Sequence, residues 1–134
     1  YWWFDWYFHN RNTWFVGILL SGIIAYSNEL KERLLGVRHE TLEQYGAVSE
    51  ETAIEMARGC LAATGADYAI ATTGISGPTG GTDEKPLGLV YIAIASRNEV
   101  VCNRYVFTTT RQQHQQRTAN QALFDLYKLL SKNH

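Results

Sequence analysis

Residues 68–107 read YAIATTGISGPTGGTDEKPLGLVYIAIASRNEVVCNRYVF, and the predicted fold class follows from this segment. It contains three apolar runs rich in β-branched and aromatic residues, which predict three strands. The runs lie at 68–72, 89–95 and 100–107. The short polar segment at Arg97 and Asn98 predicts a hairpin turn between the last two strands. The glycines between the first two strands predict a long loop at residues 74–88.

Helical patterns lie on both sides of this stretch. Ser27 and Ser49 are suitable N-caps, and glycines close the segments that follow them. The predicted helices run from Ser27 to Gly36, over 39–45, from Ser49 to Gly65, and over 112–131. The last one is amphipathic, with Ala119, Ala122, Leu123, Leu126, Leu129 and Leu130 predicted to face inward. A short β-branched run at 23–26 predicts a further strand. Helices alternating with strands indicate a layered α/β/α sandwich, and the hairpin makes its sheet mixed.

Composition excludes several classes of function. The 134 residues carry 12 basic and 13 acidic side chains, a net charge of −1, which argues against nucleic acid as a partner. The two cysteines do not show a spacing typical of metal ligands, so we predict reduced thiols. We predict neither a bound metal nor a cofactor. The longest apolar run, at 14–26, is too short to span a membrane, and the absence of a targeting signal points to the cytoplasm. The histidines show no ligand spacing and are predicted to lie on the surface: His9, His39, His114 and His134.

The Gly-rich loop is the candidate ligand site. It follows a buried strand, where α/β proteins place their ligands, and its glycines let backbone N–H groups approach an anion. The hydroxyls of Thr73, Ser76 and Thr82 would add donors for a phosphate or a developing oxyanion. The loop is neither a P-loop nor a dinucleotide fingerprint. A wide structural turn without a ligand explains the glycines equally well.

The loop reads T-G-I-S-G-P-T-G-G-T-D-E-K-P-L-G-L-V at 73–90, which resembles the signature T-G-x-x-G-P-x-G-G-T-x-E-K-P-x-G-x-V of the CinA C-terminal domain family. Two more blocks agree in order and spacing. They are G-I-I-A-Y-S-N-E-L-K at 22–31, followed by L-L-G-V at 34–37, and G-A-V-S-E-E at 46–51. The resemblance covers residues 22–134.

This resemblance implies hydrolysis of the amide of nicotinamide mononucleotide, a small-molecule nucleotide, to nicotinic acid mononucleotide and ammonia. It implies that Lys31 accepts the proton of a serine nucleophile, while Tyr26 relays that proton or holds the lysine. Arg111 matches an arginine of the family that could meet an anion, although a solvated helix start explains it better. The implied substrate-binding residues are Thr73, Gly74, Ser76, Gly77, Gly80, Gly81 and Thr82. Relatives often carry a fused molybdopterin-binding-like domain, and self-association into a homo-oligomer is left open.

The first twenty residues depart from the family pattern. The family has a nucleophile motif, A-E-S-C-T-G-G, before the strand at 23–26, and the printed sequence contains no such motif. All four tryptophans lie in this segment, and each TGG codon read one base later becomes the glycine codon GGT. The shifted text can read T-G-G-L-I-G-T-F-I-T-E-I-P-G-S-S, as the family does after E-S-C. We therefore interpret residues 1–21 as an anomalous, out-of-frame segment, and 22–134 as an incomplete domain whose first strand and helix are missing or corrupted.

Three functions remain. The intact gene product would be a nicotinamide-nucleotide amidohydrolase, whereas the printed chain would be an inactive fragment or pseudoenzyme for lack of the serine. A non-catalytic nucleotide-binding module is the third. Ammonia release separates the first from the other two, and saturable nucleotide binding without turnover favours the third.

Sequencing the gene across codons 1–22 and the stretch just upstream tests the out-of-frame interpretation. We expect the shifted frame to encode E-S-C-T-G-G-L-I-G-T and to rejoin the printed frame before Gly22. If the shifted frame encodes no such motif, the aromatic segment is native and the interpretation is wrong.

Overall fold

The computed structural model describes residues 21–133, and these residues form four helices and three strands. The segment interpreted as out of frame, residues 1–21, lies outside the described residues except for Ser21. The first strand and helix, which were predicted to be missing or corrupted there, lie outside them as well. In chain order the elements are α1 (Asn28–Leu35), α2 (His39–Tyr45), α3 (Glu50–Thr64), β1 (Tyr68–Gly74), β2 (Leu89–Ser96), β3 (Val100–Val106) and α4 (Arg111–Asn133).

Side-chain caps and glycines set the helix ends, as the sequence predicts. Ser27 Oγ accepts from the N–H of Leu30 at 3.2 Å, and Ser49 Oγ accepts from the N–H of Thr52 at 3.2 Å. Gly36 and Gly65 follow α1 and α3 with φ of 66° and 68°, a left-handed conformation that glycine adopts without steric cost. The ends of these two helices are therefore fixed by local chemistry.

The three strands form an antiparallel sheet in the order β1-β2-β3. Ala71 pairs with Ala93 between the first two strands, and Ala93 pairs with Cys102 between the last two. The expected mixed sheet is therefore wrong for residues 21–133. Parallel pairing needs a crossover, usually a helix, but the Gly-rich loop and the hairpin both return the chain directly. The run at 23–26 is also not a strand here, because it pairs with none of the three described strands.

The sheet separates two apolar clusters, and this arrangement confirms the predicted α/β/α layering. Side chains alternate along β2, so Ala93 and Ala95 face one side while Val90 and Ile92 face the other. The first side packs against α1, α2 and α3 through Leu35, Leu42, Ala53 and Ala57. The second side packs against α4, where Ala122 joins Val90 and Ile92. The central strand β2 is therefore buried on both faces.

The buried face of helix α4 overlaps only in part with the face that apolar periodicity predicts. Its buried residues are His114, Thr118, Ala122, Asp125 and Leu129, whereas Leu123 is 38% exposed. Polar side chains can be buried here because most of them form hydrogen bonds, so the apolar pattern alone misplaces the face by part of a turn. None of the helices within residues 21–133 combines the length and apolar character that a bilayer-spanning helix requires.

Asp125 attaches α4 to β3. Its carboxylate accepts from the Tyr105 hydroxyl at 2.8 Å and 2.9 Å, and from Gln121 Nε2 at 2.9 Å. Burial, together with the hydrogen bond and the charge of Asp125, raises the pKa of Tyr105 to about 12. The phenol therefore remains a donor to the carboxylate throughout the physiological range.

Glu55 of α3 holds the start of α2. Its carboxylate accepts from the Arg38 N–H at 2.8 Å, the Arg38 guanidinium at 2.9 Å and the Thr41 hydroxyl at 2.7 Å. Burial alone would raise the pKa of Glu55, but these donors together outweigh it and hold the pKa below its ordinary value. The carboxylate therefore stabilises the fold as long as it is ionised.

We expect Glu55→Gln to lower the free energy of unfolding at pH 7 by about 1–3 kcal/mol, the usual contribution of hydrogen bonds to a charged group. The folded-state pKa is lowered, so this stability is present above the unfolded pKa and is lost as the pH falls through the folded value. Urea unfolding at pH 7 and at pH 3 measures both effects. Glu43→Gln, on the exposed face of α2, is the control and should change stability by less than about 0.5 kcal/mol. An equal loss in both variants would contradict the assignment.

Candidate functional site

Lys31 is a buried amine on the inner face of α1. Only 8% of the residue is exposed, and its Nζ donates to the carbonyl oxygen of Ala25 at 3.0 Å. Burial lowers the pKa of Lys31 from its ordinary value of 10.5, because desolvation disfavours the ammonium form. Burial thus favours the neutral form of this lysine, and its role as a proton acceptor stays a prediction.

Tyr26 follows Ala25 and is 87% exposed. Ile23 and Ala25 pack against the core, while Ile24 and Tyr26 face outward, so the segment alternates as an extended chain does. Lys31 therefore bonds to the carbonyl that directly precedes Tyr26. No hydrogen bond between residues 21 and 133 joins the two side chains to each other or to the Gly-rich loop. Their shared role remains a prediction.

The neck of the Gly-rich loop is closed by backbone hydrogen bonds. Ile75 N donates to Leu89 O at 2.8 Å, and Gly88 N donates to Ile75 O at 2.7 Å. Gly88 has a φ of +87°, and a Cβ there would lie 2.3 Å from the carbonyl oxygen of Phe107. Only glycine fits this position, since a side chain meets both an unfavourable φ and a fixed backbone atom. The two ends of the loop therefore lie next to each other where the loop leaves the sheet.

Thr73, Thr82 and Lys85 fix the loop at other points. The Thr73 hydroxyl is buried and donates to Ala47 O at 2.6 Å, which ties the end of β1 to the turn before α3. Thr82 N donates to Lys85 O at 2.8 Å, and Lys85 N donates to Thr82 Oγ1 at 3.0 Å, so a tight turn forms. Lys85 Nζ reaches the carbonyl oxygen of Tyr45 at the end of α2. These contacts give the T-x-E-K-P part of the signature a structural role.

The start of α4 holds the loop from the other side of the sheet. His114 is only 1% exposed, so the prediction that it lies on the surface is wrong. Its Nδ1 lies 2.9 Å from Ser76 Oγ, and its Nε2 lies 2.9 Å from Gly88 O. Arg111 is exposed and its guanidinium donates to Gly77 O at 3.2 Å. One imidazole and one guanidinium thus fasten both ends of the loop.

The described cysteines are poor nucleophiles. Burial raises the pKa of the Cys102 thiol to about 12, and the charges of Glu50 and Glu51 add to this effect. Burial also raises the pKa of Cys60. Both thiols remain protonated at neutral pH, and only the thiolate is strongly nucleophilic. Residues 21–133 contain no group of three or more histidine, cysteine, aspartate or glutamate side chains that could hold a metal ion.

The predicted site residues fall into two groups in the structure. Thr73, Gly74, Ser76 and Gly77 lie at the neck of the loop, while Gly80, Gly81 and Thr82 form its exposed end. Tyr26 and Lys31 form the second group, on and before α1. Sequence reasoning missed the contact of His114 with the loop and that of Lys85 with α2. The only sequence signal for the first contact was the position of His114 on the inner face of an amphipathic helix. The only signal for the second was the presence of Lys85 in the signature.

Comparison with known proteins finds a family model and many relatives. The family model described as CinA C-terminal domain matches residues 15–130. A CinA-like protein of Chlorobium chlorochromatii is 54% identical over 114 residues, which are 84% of this chain and 27% of that protein. A putative competence-damage inducible protein of Clostridium tetani is 49% identical over 112 residues, again 84% of this chain and 27% of the relative. The chain thus spans about a quarter of the length of these relatives.

Solved structures agree with the fold. The competence/damage inducible protein CihA from Agrobacterium tumefaciens superposes with a TM-score of 0.78 at 42% identity, covering 81% of this chain and 67% of that one. The competence damage-inducible protein A from Klebsiella pneumoniae gives a TM-score of 0.79 at 38% identity, covering 82% and 68%. The α/β architecture is therefore shared with both proteins.

Lys31→Met removes the buried amine while keeping an unbranched side chain. The folded-state pKa of Lys31 is lowered, so the unfolded chain binds more protons between that value and 10.5, and wild-type stability rises with pH in this window. We expect the variant to lack this rise and to be as stable as wild type or more stable at pH 7. Chemical denaturation from pH 7 to pH 10.5 measures the difference. Lys132→Met at the exposed end of α4 is the control, and identical pH profiles for the two variants would contradict a buried amine.

Proposed function

The chain belongs to the CinA C-terminal domain family, and on this premise we propose that it is the nucleotide-binding part of a nicotinamide-nucleotide amidohydrolase. In the proposed reaction the carboxamide of nicotinamide mononucleotide is hydrolysed to a carboxylate and ammonia leaves. The observation that carries the proposal is the buried amine of Lys31, 3.0 Å from the Ala25 carbonyl and with a lowered pKa. Desolvation favours the neutral amine, which is the form of a lysine that accepts a proton.

The proposed chemistry begins with a serine hydroxyl attacking the carboxamide carbon. The hydroxyl proton passes to Lys31 Nζ as the new C–O bond forms, and the same proton then goes to the departing nitrogen as the C–N bond breaks. Water hydrolyses the resulting ester by the same sequence and regenerates the serine. Tyr26 lies one residue beyond the carbonyl that holds Lys31, and we assign its hydroxyl the relay of this proton.

The Gly-rich loop is proposed to bind the anionic part of the nucleotide. Between residues 21 and 133, no hydrogen bond engages the N–H groups of Gly77, Gly80 and Gly81, so these donors are available to a phosphate. The Arg111 guanidinium lies against Gly77 and adds positive charge at the same place. The neck of the loop is fixed by backbone hydrogen bonds, which reduces the entropy lost when the ligand binds.

The printed chain is proposed to bind the nucleotide without turning it over. Its 134 residues do not contain the A-E-S-C-T-G-G motif, and the described thiols are protonated at neutral pH. A non-catalytic nucleotide-binding module is the second candidate, and it is supported by the same loop. The two candidates differ in what happens when the serine motif is restored.

The test compares the printed chain with a restored chain, in which E-S-C is added and residues 1–16 are replaced by T-G-G-L-I-G-T-F-I-T-E-I-P-G-S-S. We expect the printed chain to release no ammonia from nicotinamide mononucleotide, and the restored chain to release it continuously. Lys31→Met in the restored chain should lower kcat by at least about 100-fold, the usual contribution of a general base.

Binding is measured separately by calorimetry. Saturable binding by a folded restored chain that releases no ammonia would reject the amidohydrolase and favour the binding module. Lys132→Met in the restored chain is the matched control and should leave kcat unchanged. A Lys31→Met variant with unaltered kcat would remove the proposed base from the mechanism.

A further inference from the structure

Gly59 lies inside α3, at a position where glycine is unfavourable. The residue does not have a positive φ and continues the helix, so its backbone conformation does not require glycine. A helix interior favours alanine, because glycine loses more conformational freedom when the chain folds. A glycine at such a position indicates a neighbour that leaves no room for a side chain.

That neighbour is the last turn of α1. A Cβ at Gly59 would lie 1.6 Å from the carbonyl oxygen of Leu35 and 2.5 Å from its carbonyl carbon, whereas real Cβ atoms stay 3.0 Å or more from such atoms. Both contacts are with the backbone, so no side-chain rotation could make room for the new atom. Any side chain at position 59 would therefore push α1 away from α3 by more than an ångström.

Lys31 and Leu35 share the inner face of α1. They lie one helical turn apart, and both are buried, with 8% and 4% of the residue exposed. Because α1 has only eight residues, displacing its last turn would displace the whole inner face. Water would then reach Lys31 Nζ and reverse the desolvation that lowers its pKa.

The preceding turn of α3 fixes the same corner of the chain. Glu55 lies four residues before Gly59, on the same face of α3. Its carboxylate accepts from the Arg38 N–H and the Thr41 hydroxyl, which follow α1 directly. The connection from α1 to α2 is thus held by hydrogen bonds at Glu55, while the missing side chain at Gly59 sets how closely α1 approaches.

We propose that Gly59 is a positioning residue for Lys31: because position 59 has no side chain, α1 packs closely enough on α3 to keep the amine away from water. This inference rests on the proposed function, in which Lys31 accepts the proton of the serine. Gly59 is assigned no contact with the substrate and acts through the placement of α1. The protonation state of the proposed base is then set by a residue of a different helix.

Gly59→Ala in the 134-residue chain tests this inference. Trace amounts of acetic anhydride modify lysine amines in their neutral form, and mass spectrometry gives the rate at each lysine from pH 7 to pH 11. In wild type we expect the midpoint for Lys31 to lie below 10.5. In Gly59→Ala the midpoint should rise toward 10.5 and the modification should become faster, as water and reagent reach the amine. Lys132, at the exposed end of α4, is the internal reference and should not change.

Ala62→Gly is the matched control variant. Ala62 is exposed on α3, and its replacement weakens the helix without placing any atom against α1. By helix propensity alone, Gly59→Ala should stabilise α3 and Ala62→Gly should destabilise it. We expect Lys31 to respond to the first change and not to the second. An unchanged midpoint in Gly59→Ala, or an equal rise in both variants, would overturn the positioning role.

Hydrogen exchange of the wild-type chain keeps the inference testable if Gly59→Ala does not fold. The Gly36 amide closes the end of α1 by donating to Glu32 O at 3.0 Å, so its exchange reports the opening of that end. In increasing urea below the unfolding transition, we expect Lys31 to become reactive in the same opening that exposes this amide. Modification of Lys31 while the Gly36 amide stays protected would contradict the inference, since burial of the amine would not depend on α1.

The outcomes for the inference and for the proposed function are distinguishable in the restored chain. There Gly59→Ala should lower kcat and leave KM nearly unchanged, because no hydrogen bond within residues 21–133 joins α1 to the Gly-rich loop. If Lys31→Met lowers kcat while Gly59→Ala changes neither kcat nor the midpoint of Lys31, the proposed function stands and the inference alone is wrong. If Lys31→Met leaves kcat unaltered, the proposed base fails and the inference fails with it.

Discussion

The buried imidazole of His114 is the contact on which the arrangement of the site depends. It lies on α4, yet its two nitrogens bond to Ser76 after β1 and to Gly88 before β2. The helix layer, the sheet edge and both ends of the Gly-rich loop therefore meet at one ring. A buried polar group that loses its partner costs about 1–3 kcal/mol, so the three elements favour a single relative placement. The loop is consequently rigid at its neck, although its exposed end reaches solvent.

Local signals predicted most of the fold. Ser27, Ser49 and the glycines after each helix gave the helix ends because capping depends on residues close in sequence. The apolar runs of the sheet and the hairpin at Arg97 and Asn98 were predicted for the same reason. The strand at 23–26 was not observed because an extended segment becomes a strand only through a partner, and pairing is not encoded within four residues. Within residues 21–133 the sheet is antiparallel and not mixed for a related reason, since strand direction depends on the connections and not on the strands.

Three polar side chains that hydrophobic periodicity does not place share a physical feature. His114, Asp125 and Lys31 are polar or ionisable, and each lies on the inner face of a helix where hydrophobic periodicity expects an apolar residue. Burial of such groups is stable only with hydrogen bonds, and their partners are distant in sequence: Ser76 and Gly88 for the histidine, Tyr105 for the aspartate. Lys31 was identified through the family resemblance alone, because periodicity would have placed a lysine in solvent. Sequence patterns indicate which positions face the interior. Which polar side chains are buried there depends on the tertiary hydrogen bonds.

The two halves of the candidate site depend on different parts of the chain. Among the described residues, the loop is held by Tyr45, Ala47, Lys85 and His114. Lys31 also keeps its buried position through a local contact with Ala25. The proposed proton acceptor and the proposed binding loop are thus both formed within residues 21–133, which hold no A-E-S-C-T-G-G motif. Under the proposed function, nucleotide binding and attack on the amide are therefore separable, and a chain can retain the first while it lacks the serine needed for the second.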